Sequence, residues 1–374
     1  MTQFPPELST LIRLSNRRIP PGQLDRVRYS FTGPFNWDSF TEAVRFHRTC
    51  APVYRNLTTY FSREIPPGIL KKLKQQNLRR LAKGLKYTAE TIKLAGAFKK
   101  QGIPCLFYKG ACLSKLLYND PAERFSGDID LLISPGSLKH AERILFSMGY
   151  ARTDPPVEFR ESNFGYYRKI RIHATYRSPD NIPAELHWQL CFVKELCPAS
   201  FESLWQKKQY LSVNGCEIPT LDNLHTAMLL FIHGANHAWQ RLFWLNDIAA
   251  FHENSLSVDL RLLADTARKN RIDRFLDQAF LLLNQWYGLT PPPDLDRLHD
   301  RRRRPTLKII HLLYRSEMRP AVIFLVEAQK LLLYDWYHGF LYARARLRAK
   351  YNKKRLAIDE NSELLGHLKN RLSL

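Results

Sequence analysis

The spacing of apolar positions separates a helical beginning of the chain from a mixed middle. In residues 1–100, apolar side chains recur every three or four positions, as on one face of an α-helix. Paired prolines interrupt this pattern at residues 5–6, 20–21 and 66–67. After the last pair, Leu70, Leu73 and Leu81 belong to a repeat that predicts a long helix from about Ile69 to Lys100. We therefore expect a mainly helical N-terminal region.

Between residues 101 and 220, short apolar runs typical of strands alternate with helical segments. The candidate strands lie at residues 103–107, 129–133, 166–173, 182–187 and 210–213, and the candidate helices at residues 110–118 and 137–148. Asn214-Gly215 follows the last run, and this dipeptide favours a tight hairpin. The alternation predicts a small mixed β-sheet with helices packed against it.

From Asp222 onward the pattern is helical again. Asp222 can cap a helix that carries Leu224, Met228 and Phe231. A triple proline at 291–293 and four arginines at 301–304 indicate a surface linker. We divide the chain into a basic helical N-terminal region, an α/β core, a second helical region and a basic helical C-terminal region, at residues 1–100, 101–220, 221–290 and 291–374.

Composition is that of a folded protein, with 374 residues, 45% hydrophobic and 25% charged. The six cysteines form no Cys-x-x-Cys pair, which favours reduced, buried thiols in an intracellular protein. No signal peptide is recognisable at the N-terminus. The most apolar stretch, around residues 321–340, is interrupted by Glu327, Lys330 and Asp335, so we expect no transmembrane segment. These features predict a cytoplasmic protein.

The net charge of +22 is concentrated at the two ends of the chain. Residues 1–100 carry 19 basic and 6 acidic side chains, and residues 301–374 carry 17 and 6. The central residues 101–300 carry 21 basic and 23 acidic side chains. Basic flanks favour an anionic partner such as a nucleotide, a nucleic acid, a membrane surface or an acidic peptide. The alternative is that basic helices only keep the protein in solution.

Asp128 and Asp130 stand at the start of the apolar run 129–133. Side chains two positions apart on a strand point to the same face, so these two carboxylates would repel each other. A divalent cation between them would remove that repulsion, and oxygen ligands of this kind suit Mg²⁺ or Mn²⁺. The alternative is a turn acid followed by a solvated one.

The surrounding motifs resemble those of the DNA polymerase β-like nucleotidyltransferase superfamily. They are more similar to a bacterial family of uncharacterised nucleotidyltransferases that carries Lys-Gly, Tyr-x-Asp-Pro and Arg-x-x-x-Asp-Ile-Asp-Leu-Leu. Here these motifs are Lys109-Gly110, residues 118–121 and residues 124–132. The resemblance covers roughly residues 100–250. It implies an α+β fold, in which a small mixed β-sheet nucleotidyltransferase core is flanked by N-terminal and C-terminal helical regions.

By this resemblance, Asp128, Asp130 and Glu185 are the catalytic acids and the metal ligands. The family more often has Asp at the position of Glu185. The implied reaction is Mg²⁺-dependent (or Mn²⁺-dependent) transfer of a nucleoside monophosphate from an NTP, with release of pyrophosphate. The acceptor is unidentified, and a small molecule, a peptide, a polysaccharide precursor and an RNA all stay open.

The Lys109-Gly110 turn is the expected phosphate-binding element. Gly110 lets the backbone approach phosphate oxygens, the following helix presents free N–H groups, and Lys109 adds a positive charge. Gly110-Ala111 lacks the hydroxyl that the superfamily often has here. Arg124 either pairs with phosphate or anchors its loop through Asp120 or Glu123.

Several histidines accompany these motifs. His187 shares a strand face with Glu185 and lies either near the metals or in a structural role. His233 and His237 are four residues apart, a spacing able to hold a metal, but no third ligand of that type follows. We expect side chains of this helical segment to line the cleft, where an aromatic ring could stack on the base: His233, His237, Trp239, Arg241 and Asp247. The alternative is a buried amphipathic helix.

A different class of function also fits the sequence. The chain could be a non-catalytic nucleotide- or nucleic-acid-binding adaptor of a biosynthetic or toxin–antitoxin system, or a maturation partner in a peptide or polysaccharide pathway. The basic clusters at 301–304 and 344–355 could contact nucleic-acid phosphates or an anionic membrane.

Overall fold

In a computed structural model of the chain, a small mixed sheet lies among many helices. The structure describes residues 4–17, 19–156, 159–253, 258–290 and 333–348, and positions 308, 310, 326, 327, 329 and 330. The predictions for the 301–304 cluster, for residues 349–355 and for most of the 291–374 region lie outside the described residues.

The first hundred residues are helical, as predicted. Their helices are α1 (Pro6–Ser15), α2 (Pro21–Ser30), α3 (Trp37–Phe46), α4 (Cys50–Tyr60) and α5 (Pro67–Lys100). Each of the three proline pairs places its second proline at the first position of a helix, where a missing N–H group costs nothing. The long helix expected from Ile69 to Lys100 is confirmed as α5.

Five strands form the central sheet in the order β1-β2-β5-β4-β3. They are β1 (Leu106–Phe107), β2 (Ile129–Leu132), β3 (Ala151–Asp154), β4 (His173–Arg177) and β5 (Pro183–His187). Strands β2 and β5 are parallel, whereas the other pairs are antiparallel. A mixed sheet with helical flanks confirms the predicted α+β fold class.

Helices α6 (Gly110–Tyr118), α7 (Leu138–Ser147) and α8 (Glu161–Ile170) connect these strands, and α9 (Phe201–Lys207) follows β5. The predicted hairpin at Asn214-Gly215 is confirmed, because it joins β6 (Gln209–Val213) to β7 (Cys216–Thr220). A separate two-stranded sheet results.

The strand predicted over residues 166–173 is wrong. The chain is helical in α8 up to Ile170, and the strand β4 begins at His173. The aromatic residues suggested a strand, but Phe164 and Tyr167 are three positions apart and both pack on Phe159, with ring centroids 5.4 and 5.3 Å away. Helical spacing therefore decides the conformation of this segment.

The C-terminal helices are α10 (Asn223–Asn236), α11 (Leu242–Glu253), α12 (Leu260–Lys269) and α13 (Asp273–Tyr287), and residues 336–348 are also helical. Asp222 caps α10 as predicted, since its carboxylate accepts a hydrogen bond from the His225 N–H at 2.9 Å. Side chains of α1, α3 and α4 share one apolar core with side chains of α10, α11 and α13. A second core lies between the sheet and helices α5 and α7. The helices before and after the sheet therefore pack around one common core.

All six cysteines are free, and Cys216 alone among them is exposed. No helix in the described part of the chain has both the length and the apolar composition needed to cross a membrane.

Candidate active site

The parallel pairing of β2 and β5 brings the predicted acids to one place. Asp130 is paired with Glu185 across these strands. Asp128 lies just before β2, two positions ahead of Asp130. Asp130 is almost fully buried, whereas the Glu185 side chain is 22% exposed. One acid of this group is therefore enclosed, and another can be reached from outside.

Positive groups surround Asp130. Lys109 Nζ lies 2.8 Å from Asp130 Oδ1, and His187 Nε2 lies 3.1 Å from the same oxygen. His187 Nε2 is also 3.1 Å from Glu185 Oε2, so this imidazole joins the two carboxylates. Lys109 directly precedes α6, and the β1–β2 pairing holds the chain just before it against β2.

His173 belongs to the same group, although no motif in the sequence marks it. In the β4–β5 register it lies directly opposite His187, and the two ring centroids are 4.6 Å apart. His173 Nε2 lies 3.7 Å from Glu185 Oε1. The sequence predicts a strand that ends at residue 173 but does not show which strand pairs with it. No sequence signal therefore places this side chain beside Glu185.

Asp128 and Asp130 differ in their electrostatics. Burial, followed by repulsion from Asp130 and Glu185, raises the pKa of Asp128 to about 6. Burial also acts on Asp130, but Lys109 and His187 outweigh it and hold the pKa of this carboxyl well below its usual value. A further cation beside Asp128 would therefore favour the ionised form of this carboxyl.

The pKa values of the neighbouring side chains also differ from their usual values. Although burial opposes it, the hydrogen bonds to Asp130 and Glu185 raise the pKa of His187. The pKa of Glu185 is lowered, because contact with His187 outweighs its burial. Burial and the neighbouring His187 lower the pKa of His173 to about 4, so His173 is a neutral imidazole at neutral pH.

Gly110 begins α6 with a φ of +55°, a left-handed conformation that favours glycine. A Cβ atom there would lie 3.3 Å from Ser126 Oγ and 3.5 Å from the Asp128 carbonyl oxygen. Ser126 Oγ donates to that carbonyl at 2.7 Å. The start of α6 and the loop that carries Asp128 are therefore in close contact, and no side chain caps the helix N-terminus.

Arg124 is anchored by Asp247, which is neither of the two partners suggested by the sequence. Arg124 Nε donates to Asp247 Oδ2 at 2.8 Å, and the Tyr118 hydroxyl donates to Asp247 Oδ1 at 2.9 Å. Glu123 instead pairs with Arg55, and Asp120 accepts from a backbone N–H of its own turn. Asp247 is 1% exposed, so it supports the loop from beneath.

His233 and His237 lie on and just after α10, beside Trp244. The exposed His237 ring stacks on the Trp244 ring with centroids 4.9 Å apart, and the His233 ring meets that of Trp244 edge-on at 5.5 Å. One cavity is lined by Lys109, Arg124, His233 and Trp244. An aromatic surface thus adjoins the Lys109 turn.

Trp239 does not line the cleft, and that expectation is wrong. Its side chain is fully buried, and its indole N–H donates to Gln278 at 2.8 Å. It packs on Gly234, where any Cβ would overlap the indole ring. Arg241 lies against Phe46 instead, with its guanidinium 5.6 Å from the centre of the Phe46 ring.

A cluster of cations next to the Asp128 loop was not identified from the sequence. The Arg48 guanidinium lies 4.2 Å from the centre of the Phe125 ring and 5.3 Å from that of Phe243. Lys83 Nζ is 5.2 Å from the centre of the Phe125 ring, and the Arg124 guanidinium is 5.2 Å from that of Phe243. Phe125 stands three residues before Asp128. We call Arg48, Lys83 and Arg124 the cation cluster.

Burial and repulsion between neighbouring cations affect this cluster. They lower the pKa of Arg48 to about 10, with burial first and Arg241 second, while Asp128 acts in the opposite direction. Similar causes lower the pKa of Lys83. Like charges held this close favour an anion beside Asp128.

Comparison with known proteins identifies one family. The sequence model of a family described as uncharacterised nucleotidyltransferases matches residues 33–288. A solved structure, described as an antigenic nucleotidyltransferase-like protein from Paracoccidioides brasiliensis, is similar to this chain with 14% identity and a TM-score of 0.28. That similarity covers 64% of this chain and 92% of the other. No curated protein matches the chain. The family match extends well beyond the residues that carry the motifs.

Proposed function

Because the chain belongs to the family of uncharacterised nucleotidyltransferases, we propose that it transfers a nucleoside monophosphate from an NTP to an acceptor and releases pyrophosphate. The observation that supports this most directly is the β2–β5 register, which pairs Asp130 with Glu185 next to Asp128. Three carboxylates at one place are the usual ligands of the metal pair in such reactions.

The residues at this site fit Mg²⁺ or Mn²⁺. Asp130 Oδ2 is buried and has no hydrogen-bond partner among the described residues, and the ionised form of Asp128 is disfavoured without a cation. Carboxylate oxygens suit hard divalent ions. Asp128, Asp130 and Glu185 would hold the ions, and the bound ions would neutralise charge on the reacting phosphate.

The triphosphate would bind between the Lys109 turn and the cation cluster. The first N–H groups of α6 are free of side-chain caps and favour phosphate oxygens. Lys109, which stands between Asp130 and the start of α6, would contact the phosphates from that position. Arg48 and Lys83 would bind the phosphates that leave, because their side chains flank Phe125 in the loop before Asp128.

The base and the acceptor would occupy opposite sides of this site. His233 and Trp244 line a cavity together with Lys109 and offer an aromatic surface there, and nucleobases stack on such surfaces. Glu185 is ionised and partly exposed, so it would accept the proton of an acceptor hydroxyl. His187 is enclosed beside it and would hold its orientation.

The test is incubation of the purified chain with each labelled NTP, with Mg²⁺ or Mn²⁺, and with pools of small molecules, peptides, polysaccharide precursors and RNA. We expect pyrophosphate release and a labelled acceptor, both lost in Asp128→Asn and Asp130→Asn. Asp180→Asn makes the same charge change at an exposed turn and should leave activity intact.

No consumption of any NTP, together with equal metal-dependent nucleotide binding by wild type and Asp128→Asn, would contradict the proposal. Metal-dependent nucleotide binding that needs the three acids but yields no product would favour the non-catalytic adaptor.

A further inference from the structure

We propose that His173, Glu185 and His187 together bind a divalent transition-metal ion, such as Co²⁺ or Zn²⁺, through their imidazole and carboxylate atoms. The inference deepens the proposed function, since Glu185 serves both. It rests on that function only for the role of the ion in transfer, because the binding itself requires no nucleotide.

The distances between the three side chains fit a single coordination shell. His187 Nε2 lies 3.1 Å from Glu185 Oε2, and His173 Nε2 lies 3.7 Å from Glu185 Oε1. All three ligand atoms lie within 4.8 Å of one another. Bonds of about 2.0–2.2 Å to a central ion separate neighbouring ligand atoms by roughly 3.0–3.5 Å. Small side-chain movements would therefore bring all three onto one ion.

Strand backbone, rather than a loop, holds these ligands. In the antiparallel β4–β5 register, His173 faces His187, and Thr175 faces Glu185. The residues between them, Ala174 and Leu186, are buried in the apolar core on the other side of the sheet. Because alternate side chains of a strand point to opposite faces, the three ligands share the face that also carries Asp130.

Two imidazole nitrogen atoms of this group lack hydrogen-bond partners among the described residues. His187 is 2% exposed, and the Nδ1 atoms of both His187 and His173 are buried without a hydrogen-bond partner among the described residues. Buried polar atoms without partners cost free energy, and native proteins contain few of them. The ligand atoms of the proposed site are the Nε2 atoms, which already face Glu185, so the unpaired Nδ1 atoms show only that the described residues do not fully satisfy this histidine pair.

The ligand types decide which ion binds. Imidazole suits Zn²⁺, Fe²⁺ and Ni²⁺, whereas a site of carboxylates alone suits Mg²⁺ and Mn²⁺. Two histidines and one carboxylate leave other coordination positions open for water or substrate. Asp130 Oδ1 lies 3.1 Å from His187 Nε2 but pairs with Lys109, so it borders the site without joining the three ligand atoms. The β4–β5 side of the site therefore selects a softer ion than the side formed by Asp128 and Asp130.

The experiment measures metal binding by the full chain without nucleotide. Protein freed of metal with EDTA is titrated with Co²⁺, followed by its visible absorption, and with Zn²⁺, followed by calorimetry. We expect one ion per chain, bound with Co²⁺ spectra of nitrogen–oxygen coordination. Affinity should fall on the order of 100-fold in His173→Ala, since loss of outer partners of metal ligands already costs about 10–100-fold. Glu185→Gln should show a similar loss.

The matched control is His140→Ala, which removes an exposed histidine of α7 and should leave the titration unchanged. Thermal unfolding in EDTA checks that His173→Ala and His173→Gln fold. Equal Co²⁺ and Zn²⁺ affinities for wild type and folded His173 variants would overturn the inference, and so would full displacement of Co²⁺ by equimolar Mg²⁺.

The same data separate this inference from the proposed reaction. Transition-metal binding that depends on His173, in a protein that consumes no NTP, supports the ion site and contradicts nucleotidyl transfer. NTP turnover with Mg²⁺ that is unchanged in His173→Ala, together with no Co²⁺ binding, supports transfer and contradicts the ion site.

Discussion

Lys109 Nζ and Asp130 Oδ1 lie 2.8 Å apart, although 21 residues separate them in the chain. This contact gives Asp130 a direct cationic partner in a buried place. Asp128, two residues earlier, has its pKa raised by burial and by the other two acids. Two neighbouring carboxylates of one motif therefore affect stability in opposite directions, and each can be tested by changing it to the amide.

Asp128→Asn is expected to stabilise the metal-free protein at neutral pH. The folded-state pKa of about 6 lies above the unfolded value of 3.8, so the folded protein holds more protons between these values. The free energy of unfolding of wild type therefore falls as pH rises through this window. The variant lacks this loss and should be more stable by about 2 kcal/mol above pH 6. Its advantage should shrink towards pH 4.

Urea unfolding in EDTA over this pH range measures the difference in free energy of unfolding between Asp128→Asn and wild type. Asp180→Asn, which removes one negative charge in the same way, is the control. Equal or lower stability of Asp128→Asn at pH 7.5 would show that Asp128 is not strained by its neighbours. The same variant should lack transferase activity. A gain in stability with a loss of activity is characteristic of a functional site.

Asp130→Asn should have the opposite effect on stability. It leaves the Lys109 ammonium and His187 without their buried carboxylate, and breaking such a pair costs about 3 kcal/mol. The pKa of Asp130 is lowered in the folded protein, so its contribution is present at neutral pH and is lost as pH falls below the unfolded value near 4. Thermal unfolding in EDTA at pH 7 should show a clear decrease in Tm. An unchanged Tm would mean that the pair contributes nothing.

The sequence was sufficient for the parts of the site that depend on local pattern. Lys109-Gly110 was predicted as a turn before a helix, and the turn and α6 are found there. Asp128 and Asp130 were predicted at the start of a buried strand, and β2 begins at Ile129. These features follow from the alternation of side chains and from turn chemistry, which act over a few residues.

Long-range partners could not be predicted in the same way. Asp247 lies 123 residues from Arg124 along the chain, and only the packing of α11 against α6 brings the two together. The position of His173 beside His187 depends on the register between β4 and β5. The strand was predicted to begin seven residues too early, so this pairing did not follow from the prediction. Arg48 reaches the site because the N-terminal helices pack beside the core. None of these contacts has a signature in local spacing.

Arg48→Ala should weaken pyrophosphate binding. Arg48 stands over Phe125 within the cation cluster, and a charge-assisted hydrogen bond contributes about 1.5–3 kcal/mol, or roughly a 10–100-fold change in affinity. Calorimetric titration with magnesium pyrophosphate measures the loss, which should be smaller in Arg48→Lys. Arg45→Ala, at an exposed position of α3, is the matched control. If both alanine variants bind equally well, the triphosphate lies elsewhere.

Asp247→Asn should destabilise the loop that carries the motif. The change leaves the Arg124 guanidinium enclosed without a counter-charge, which costs about 3 kcal/mol. Tyr118→Phe removes only one hydrogen bond to the same carboxylate and should cost about 1 kcal/mol. Urea unfolding of both variants tests this order. A larger effect of Tyr118→Phe would show that Asp247 supports the loop through the hydroxyl rather than through Arg124.

Gly110→Ala should impair both stability and nucleotide binding. The φ of +55° costs an alanine roughly 1–2 kcal/mol, and its Cβ would lie 3.3 Å from Ser126 Oγ. Relief of that contact would move the loop of Asp128 away from α6. Metal-dependent ATP affinity should therefore fall by at least the factor that corresponds to the loss in free energy of unfolding. Gly96→Ala, at an exposed position of α5 with no atom near its Cβ, is the control and should be neutral or stabilising by up to about 1 kcal/mol. Nucleotide titration in Mg²⁺ with urea unfolding compares the two. Wild-type affinity in Gly110→Ala would mean that the turn before α6 does not approach the phosphates.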